Sequence, residues 1–344
     1  MTKVIAVVGA TGSQGGSVAR TFLKIPGWEV RGITRNRNSA AARELAELGV
    51  KIVEADLDDV ASVESAFSGA SAIFGVTDFW QFVQSPKTHE LAKSENITWN
   101  EACFRLELQQ GINIIDAAVK VAKGCVLERL VLSTLSDAKR ASKGKYTWVY
   151  HYDGKAQFVQ YLEMKAQSEP EYRQLLETTS YVQMGFYLDN WKMTPLFAPQ
   201  KQANGTYVWY MVHGKSPIEH EHPLPVVHPP TDTGPFVEAL VLKAPPGTTV
   251  LGTSKLFKFS EFVKLWGGIL KVEAGIQELS IEDLDAKFPG GFGREVGESA
   301  AYVREYGWDG GEGAILPEQA GVDLGALTDA ETYIRDTDWS SVVN

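Results

Sequence analysis

The stretch that decides the fold is residues 3–22, KVIAVVGATGSQGGSVARTF, in which an apolar run leads into a glycine-rich turn and then a helix. Gly9 permits the tight turn, Gly12 lets the backbone approach a pyrophosphate, and Gly15 lets the helix pack closely on the strand. The exposed N–H groups at the start of the helix would then face phosphates. The alternative is a strand-to-helix turn that binds nothing. The predicted cofactor-binding residues of this turn are Gly9, Thr11, Gly12, Ser13, Gln14 and Gly15.

The first 135 residues alternate between short β-branched apolar runs and helical stretches, the longest from about residue 100 to residue 122. Strands separated by helices imply right-handed crossovers and a parallel sheet covered on both faces. We therefore predict an α/β fold, a Rossmann-type doubly wound parallel sheet with a smaller mixed α+β C-terminal lobe. The nucleotide-binding domain is predicted over residues 1–186, with a returning segment near 226–245. The smaller lobe is predicted over residues 187–344, interleaved with that domain.

The composition of the chain excludes several classes of protein. Its 344 residues carry a net charge of −10, which works against direct binding to nucleic acid. No run approaches the roughly 18 apolar residues of a membrane span, and the N-terminus lacks a signal-peptide pattern. Cys103 and Cys125 suggest neither a disulfide framework nor a zinc site, and His220 with His222 lacks a second cluster, so no metal is predicted. We expect a cytoplasmic, or nuclear, protein that is a monomer or homodimer.

The end of the second predicted strand distinguishes the two nicotinamide dinucleotides. An NAD site carries an acidic residue about 20 residues past the glycines, where it binds the ribose hydroxyls. Here the sequence reads GITRNRNS, which offers Arg35 and Arg37 and has no acidic residue before Glu44. A guanidinium can pair bidentately with a 2′-phosphate that a carboxylate would repel. The stretch therefore predicts NADP(H); a solvated basic loop is the alternative, and it suits Arg37 better than Arg35.

Taken together, these residues resemble the NmrA-like family, atypical members of the short-chain dehydrogenase/reductase superfamily. The similarity covers most of the chain and rests on VVGATGSQGGSVA, TRN, EADLDD, HYDGK and HPPTDTGPFV. The resemblance implies a Rossmann domain, a small C-terminal lobe and a cleft between them. The residues that it places along the cofactor are Arg35 at the 2′-phosphate, Asp56 and Leu57 at the adenine, and Gly75, Val76 and Thr77 on the adenosine side.

Ordinary members of that superfamily use a Tyr-x-x-x-Lys pair, in which the lysine holds the nicotinamide ribose and the tyrosine protonates the substrate. The matching segment here is HYDGK, with His151 at the tyrosine position and Lys155 at the lysine position. Positions four apart share a helix face, so both side chains can reach one cleft. Histidine, with an ordinary pKa of about 6.5, can serve as the acid, although it is shorter than tyrosine. Tyr150, just upstream, and Ser133 or Thr134, at the end of the fifth strand, are further candidates, and a structural role is equally open for the two hydroxyls.

Two functions remain open. The first is an NADPH-dependent reductase of a small activated C=O, C=C or C=N substrate, with Lys155 orienting the cofactor and His151 or a nearby tyrosine donating the proton. The second, implied by the resemblance, is a non-catalytic NADP(H) redox sensor or transcriptional co-regulator that acts through a protein partner. We favour the reductase because a pure binding protein does not need that polar pair, and we expect Tyr152 to face elsewhere. The predicted aromatic wall of the substrate pocket, of which a minority would face a ligand, consists of Phe186, Tyr187, Trp191, Trp209 and Tyr210.

Overall fold

The computed structural model describes residues 2–124, 127–214 and 221–343. Cys125 and His220 lie outside the described residues. Within those ranges no helix is long and apolar enough to cross a membrane, and no three His, Cys, Asp or Glu side chains are grouped so as to hold a metal ion.

The strands are β1 Lys3–Val7, β2 Trp28–Thr34, β3 Lys51–Glu54, β4 Ala72–Gly75, β5 Arg129–Thr134, β6 Thr179–Met184, β7 Phe186–Tyr187, β8 Gln200–Lys201, β9 Tyr207–Val212, β10 Leu224–Val227, β11 Thr249–Gly252, β12 Lys255–Phe257 and β13 Ala274–Leu279. The helices are α1 Ser13–Phe22, α2 Ala40–Glu47, α3 Val60–Phe67, α4 Pro86–Glu95, α5 Trp99–Ala122, α6 Ala138–Ala141, α7 Tyr150–Ser168, α8 Pro170–Leu176, α9 Pro229–Leu242, α10 Phe259–Leu270, α11 Ile281–Lys287, α12 Phe292–Tyr306 and α13 Ala330–Asp336.

Seven strands form one parallel sheet in the order β11-β6-β5-β4-β1-β2-β3. Because side chains alternate along a strand, β1 presents apolar residues to both faces of this sheet. Ile5 and Val7 pack in the core that includes α1 and α9, whereas Ala6 and Val8 pack in the core that includes α3 and α5. Apolar residues on both faces are what a parallel sheet covered by helices requires. The predicted Rossmann-type doubly wound sheet is confirmed.

Helix α9 comes from the second half of the chain and packs against α1. The two helices approach so closely that a Cβ on Gly234 would lie 2.0 Å from Oγ1 of Thr21. The hydroxyl of Ser17 accepts the N–H of Gly234 and donates to the carbonyl of Thr231, both at 2.9 Å. The predicted returning segment, near 226–245, contains this helix, and the return continues into β11 at the edge of the main sheet. The second half of the chain therefore supports the helix that follows the glycine turn; a domain boundary at residue 186 stays a prediction.

The smaller lobe contains two three-stranded sheets, β12-β10-β7 and β13-β9-β8, in which parallel and antiparallel pairs are mixed. Its core is aromatic. Trp209 meets Phe262 and Trp266 edge to face, with ring centroids 5.7 and 5.6 Å away, and Trp191 stacks on Trp339 at 4.2 Å. Such pairs stabilise a core beyond the apolar area that they bury. The predicted mixed α+β lobe is confirmed.

Candidate functional site

A large cavity, with a volume of about 880 Å³, runs along the carboxyl ends of the main-sheet strands. One wall consists of residues that follow β1, β2, β4, β5 and β6, and the other wall belongs to the smaller lobe. Open parallel sheets bind their ligands at this edge, where the strand order reverses. We call the part beside residues 9–15 the turn end and the part beside His151 and Lys155 the lysine end.

At the turn end the backbone itself forms the surface of the cavity. Gly9 has a φ of +61°, which side chains with a Cβ rarely adopt, and its carbonyl accepts the N–H of Gly12 at 2.8 Å. A Cβ on Gly15 would lie 2.3 Å from that carbonyl oxygen. Helix α1 begins at Ser13, and no side chain in the described part of the chain caps its N-terminus. Its first N–H groups and the positive end of its dipole are therefore available to an anion.

Positive charge at the turn end comes from Arg35, which follows β2, is exposed and lines the cavity. Leu57 lines the cavity as well. Asp56, the residue before it, does not: its carboxylate accepts the N–H of Asp58 at 3.0 Å within its own turn. Arg37 also stays outside the lining of the cavity. A ligand with an anionic group at this end would therefore meet the guanidinium of Arg35.

At the lysine end, Lys155 of α7 is held by a buried carboxylate. Its Nζ lies 2.9 Å from the carbonyl oxygen and from Oγ1 of Thr77, and 2.5 Å from Oε1 of Glu107. The side chain of Glu107, on α5, is fully buried, and that of Lys155 is only 12% exposed. Buried charges are tolerated when they are paired and hydrogen-bonded, so the pair fixes the position of the ammonium group. All three N–H donors of the ammonium have acceptors.

His151, one helical turn before Lys155, lines the same cavity and bonds to a second buried carboxylate. Its Nδ1 lies 2.7 Å from Oε1 of Glu295, which also accepts the backbone N–H of His151 at 3.0 Å. Glu295 lies on α12, in the smaller lobe, and its Oε2 accepts Nδ2–H of Asn100 at 3.1 Å. The carboxylate of Glu295 thus has three hydrogen-bond contacts, and an ionised carboxylate can only accept. The Nδ1 atom that faces it must therefore carry the proton. Nε2 is then the ring nitrogen left for the cavity.

The start of α7, the helix that carries both residues, is capped by the smaller lobe. Its N-cap residue, Val149, has no side chain that can accept an N–H. Oε2 of Glu298, on α12, accepts the N–H groups of Thr147 at 2.7 Å and Trp148 at 2.9 Å, the two residues that precede the N-cap. Glu295, three residues earlier on α12, accepts the backbone N–H of His151 in the first turn of α7. An unsatisfied N–H at a buried helix start is costly, so the contact with Glu295 fixes the start of α7 on the smaller lobe.

A third buried carboxyl group near the lysine end forms no ion pair with any residue that the structure describes. The Oδ1 atom of Asp153, on α7, accepts the backbone N–H of Lys139 at 3.1 Å. Burial, together with the charge of nearby Asp137, raises the pKa of Asp153 to about 7. The group is therefore partly protonated near neutral pH, unlike a carboxylate that faces an ammonium group.

Most of the predicted site residues lie around this single cavity. Those that line it are Gly9, Thr11, Gly12, Ser13, Gln14, Gly15, Arg35, Leu57, Val76, Thr77, Ser133, Thr134, His151 and Lys155. Besides Asp56, Gly75 and Tyr150 are absent from the lining; the ring of Tyr150 packs against that of Phe104 at a centroid distance of 5.8 Å. Tyr152, expected to face elsewhere, is a lining residue, and its buried hydroxyl has no hydrogen-bond partner among the described residues.

The predicted aromatic wall is present in part. Phe186, Tyr187, Trp209 and Tyr210 line the cavity, whereas Trp191 lies outside the lining and stacks in the core of the smaller lobe. Trp80, which follows β4, adds an aromatic ring beside His151, with centroids 5.1 Å apart. The lysine end therefore opens into a space bounded mainly by aromatic and apolar side chains.

The two carboxylates behind the lysine end were not predicted. Glu107 is 48 residues from Lys155 in the chain, and Glu295 is 144 residues from His151. Each is one acidic residue on an ordinary helix, and no motif marks either of them. A buried glutamate on the inner face of α5 is the only available signal, because a charge on an apolar helix face needs a partner.

Comparison with known proteins agrees with the fold. The model of the NmrA-like family matches residues 1–334. The chain is 28% identical over 294 residues to the NmrA-like family domain-containing oxidoreductase hkm9 of Aspergillus hancockii, a match that covers 81% of this chain and 76% of that protein.

Solved structures share the whole architecture. NmrA, a negative transcriptional regulator, in complex with NADP has a TM-score of 0.68 and 20% identity to this chain, and the match covers 99% of this chain and 97% of NmrA. The NADPH-dependent quinone oxidoreductase QOR2 of Escherichia coli, in complex with NADPH, has a TM-score of 0.65 and 16% identity, with 96% and 98% covered. These likenesses show the fold, and the family model spans nearly the entire sequence. The chain belongs to the NmrA-like family.

Proposed function

We propose that this protein is an NADPH-dependent reductase of a small activated substrate with a C=O, C=C or C=N bond. The continuity of the cavity carries the proposal, because the turn end, the lysine end and the aromatic wall all border one space. A protein that only bound a nucleotide would need the turn end, but not an aromatic space beyond a histidine and a lysine. The same arrangement of cofactor site and substrate space is what hydride transfer requires.

NADP(H) fits the turn end of this chain. The first N–H groups of α1 would hold the pyrophosphate, at a surface where the absence of a Cβ on Gly15 keeps the backbone bare. Arg35 would bind the 2′-phosphate, and Leu57 would lie against the adenine. NmrA and QOR2 were solved with NADP and NADPH, which supports the same choice.

The residues of the lysine end would orient the cofactor and move a proton. When bound, NADPH would supply the hydride. Lys155 would hold the ribose, which requires at least one of its N–H donors to turn away from Thr77 or Glu107. His151 would donate the proton through Nε2, and Ser133, buried at the end of β5, would orient the substrate carbonyl.

The aromatic wall favours flat, apolar substrates, which stack on rings and need few hydrogen bonds. The shorter reach of histidine compared with tyrosine favours substrates that are already electrophilic. Quinones, enones and imines combine both properties, so they form the substrate panel of choice.

The test follows the oxidation of NADPH by absorbance in the presence of such a panel. We expect turnover with at least one class, and a loss of about 100-fold or more in kcat for His151→Phe and Lys155→Ala. Arg37→Ala, outside the cavity, is the control and should keep the wild-type rate. Tight binding of NADPH without turnover of any substrate would overturn the proposal and would favour the non-catalytic redox sensor that acts through a protein partner.

A further inference from the structure

We infer that His151 and Glu295 act as a dyad, in which the buried carboxylate of the smaller lobe holds the imidazole with Nε2 toward the substrate. Glu295 is then a positioning residue that works through His151. The inference rests on the proposed function for its chemical meaning, although the arrangement of the ring is a property of the protein alone.

The contacts of Glu295 restrict the imidazole in two ways. Its Oε1 atom binds both Nδ1 and the backbone N–H of His151, so one oxygen fixes the ring relative to its own main chain. Its other oxygen is anchored by Asn100, whose Nδ2 also donates to the carbonyl of Gly291 at 3.3 Å. A carboxylate held at both oxygens cannot rotate away from the ring, which is how a second residue fixes a catalytic histidine in other enzymes.

The surroundings of His151 leave the cavity side of its ring available. The rings of Phe79 and Trp80 lie beside the imidazole at centroid distances of 5.9 and 5.1 Å. The side chain of His151 lines the cavity and is 14% exposed. Its Nε2 atom has no hydrogen-bond partner among the described residues. A bound substrate would therefore meet Nε2 and not Nδ1.

Capping of α7 alone explains only part of this arrangement. Glu298 accepts the N–H groups of Thr147 and Trp148, the two residues that precede the N-cap, so it holds the approach to the helix without contacting the imidazole. Glu295 accepts the N–H of His151 in the first turn, but its 2.7 Å bond to Nδ1 has no function in capping. The two glutamates lie on the same helix, and both are buried, which makes Glu298 the matched control for Glu295.

The proposed step balances for a carbonyl substrate. Bound NADPH would supply the hydride for the carbonyl carbon and would be oxidised, and the substrate would be reduced by two electrons. His151 would pass the proton of Nε2–H from its protonated ring to the oxygen, so that C=O would become CH–OH. His151 is left neutral, with Nδ1–H still bonded to Glu295, and takes a new proton from water.

The first test needs no turnover. The chain has six histidines, so proton–nitrogen correlation spectra of the ¹⁵N-histidine-labelled protein, assigned with His151→Gln, identify which ring nitrogen of His151 carries the proton. At a pH where the ring is neutral we expect the Nδ1–H form in the wild type and in Glu298→Gln. The Nε2–H form in the wild type would overturn the inference.

The second test uses kinetics with a substrate that the protein turns over. We expect Glu295→Gln to lower kcat by about 10- to 100-fold with little change in KM, and Glu298→Gln to stay within about threefold of the wild type. Because Glu295 acts through His151, adding Glu295→Gln to His151→Gln should cause no further loss. Additive losses of kcat in the double variant, or equal losses for Glu295→Gln and Glu298→Gln, would overturn the inference and leave Glu295 only a structural role. If the wild type turns over no substrate, the proposed function fails, while the spectra still decide the position of the ring.

Discussion

The two ends of the cavity are built by opposite means. The turn end consists mainly of backbone, namely three glycines and the start of α1, which no described side chain caps. The exposed guanidinium of Arg35 adds positive charge to it. The lysine end consists of buried charged side chains, in which Lys155 and His151 are each held by a glutamate from a distant part of the sequence. The first end offers a surface for an anion, and the second holds charged groups in fixed positions.

The difference shows how the two halves of such a site tolerate change. Backbone N–H groups bind phosphate whatever the neighbouring side chains are, provided that no Cβ fills the turn. Buried ion pairs depend on both partners, because removal of one leaves a charge in an apolar environment. The lysine end should therefore be the part where a single substitution damages folding as well as function.

Removal of the ammonium group tests that difference most severely. Lys155→Met leaves the fully buried Glu107 without its cation, and we expect a loss of about 3–5 kcal/mol in the free energy of unfolding. Denaturant titration followed by tryptophan fluorescence measures it. Lys155→Met combined with Glu107→Gln should recover most of the loss; equal stability of the wild type and the single variant would show that the pair is not a buried unit.

The corresponding change at the turn end should damage binding and leave the stability less affected. A Cβ at residue 15 would lie 2.3 Å from the carbonyl oxygen of Gly9, so Gly15→Ala must displace the turn. We expect NADPH to bind about 1,000-fold more weakly, or about 4 kcal/mol, by calorimetry. Gly268→Ala is the control, because a Cβ there has no atom within 4 Å, and it should bind as the wild type does.

The same contrast explains what the sequence could reveal. The turn end is encoded within residues 9–35, in a strand–glycine–helix pattern and an arginine at a strand end, so local chemistry sufficed to predict it. Lys155 and His151 were predicted because HYDGK matches the Tyr-x-x-x-Lys pattern of the superfamily that the sequence resembles, and residues four apart share a helix face. Their glutamates could not be found, since α5 and α12 meet α7 only in the folded chain. Tyr152 illustrates a further limit: helical geometry alone did not show that a neighbouring residue also reaches the cavity.

The third buried carboxyl group sharpens the comparison within the lysine end, since it bonds to a backbone N–H and forms no ion pair within the described ranges. The pKa of Asp153 is raised from 3.8 to about 7 by burial, so the native state holds a proton that the unfolded chain has released. The contribution of Asp153 to the free energy of unfolding should therefore fall as the pH rises from about 4 to about 7, and stay level above that. Asp153→Asn should remove roughly 4 kcal/mol of decline, as denaturant titrations across that range would show. An identical pH profile in the variant would contradict the assigned protonation.

The smallest expected effect concerns Arg35, the guanidinium that lines the turn end. Arg35→Met should weaken the binding of NADPH by about 30-fold, or about 2 kcal/mol, because it removes a charge-assisted contact with the 2′-phosphate. NADH has no such phosphate, so its affinity should stay within about twofold. Arg37→Met, outside the lining of the cavity, is the matched control and should change neither affinity.

The most direct measurement of the central claim is a calorimetric titration of the wild type and Arg35→Met with NADPH and with NADH. If one dinucleotide lies along the cavity with its 2′-phosphate on Arg35, the wild type should prefer NADPH to NADH, and the variant should lose that preference. No heat of binding with NADPH, or the same preference in both proteins, would contradict it.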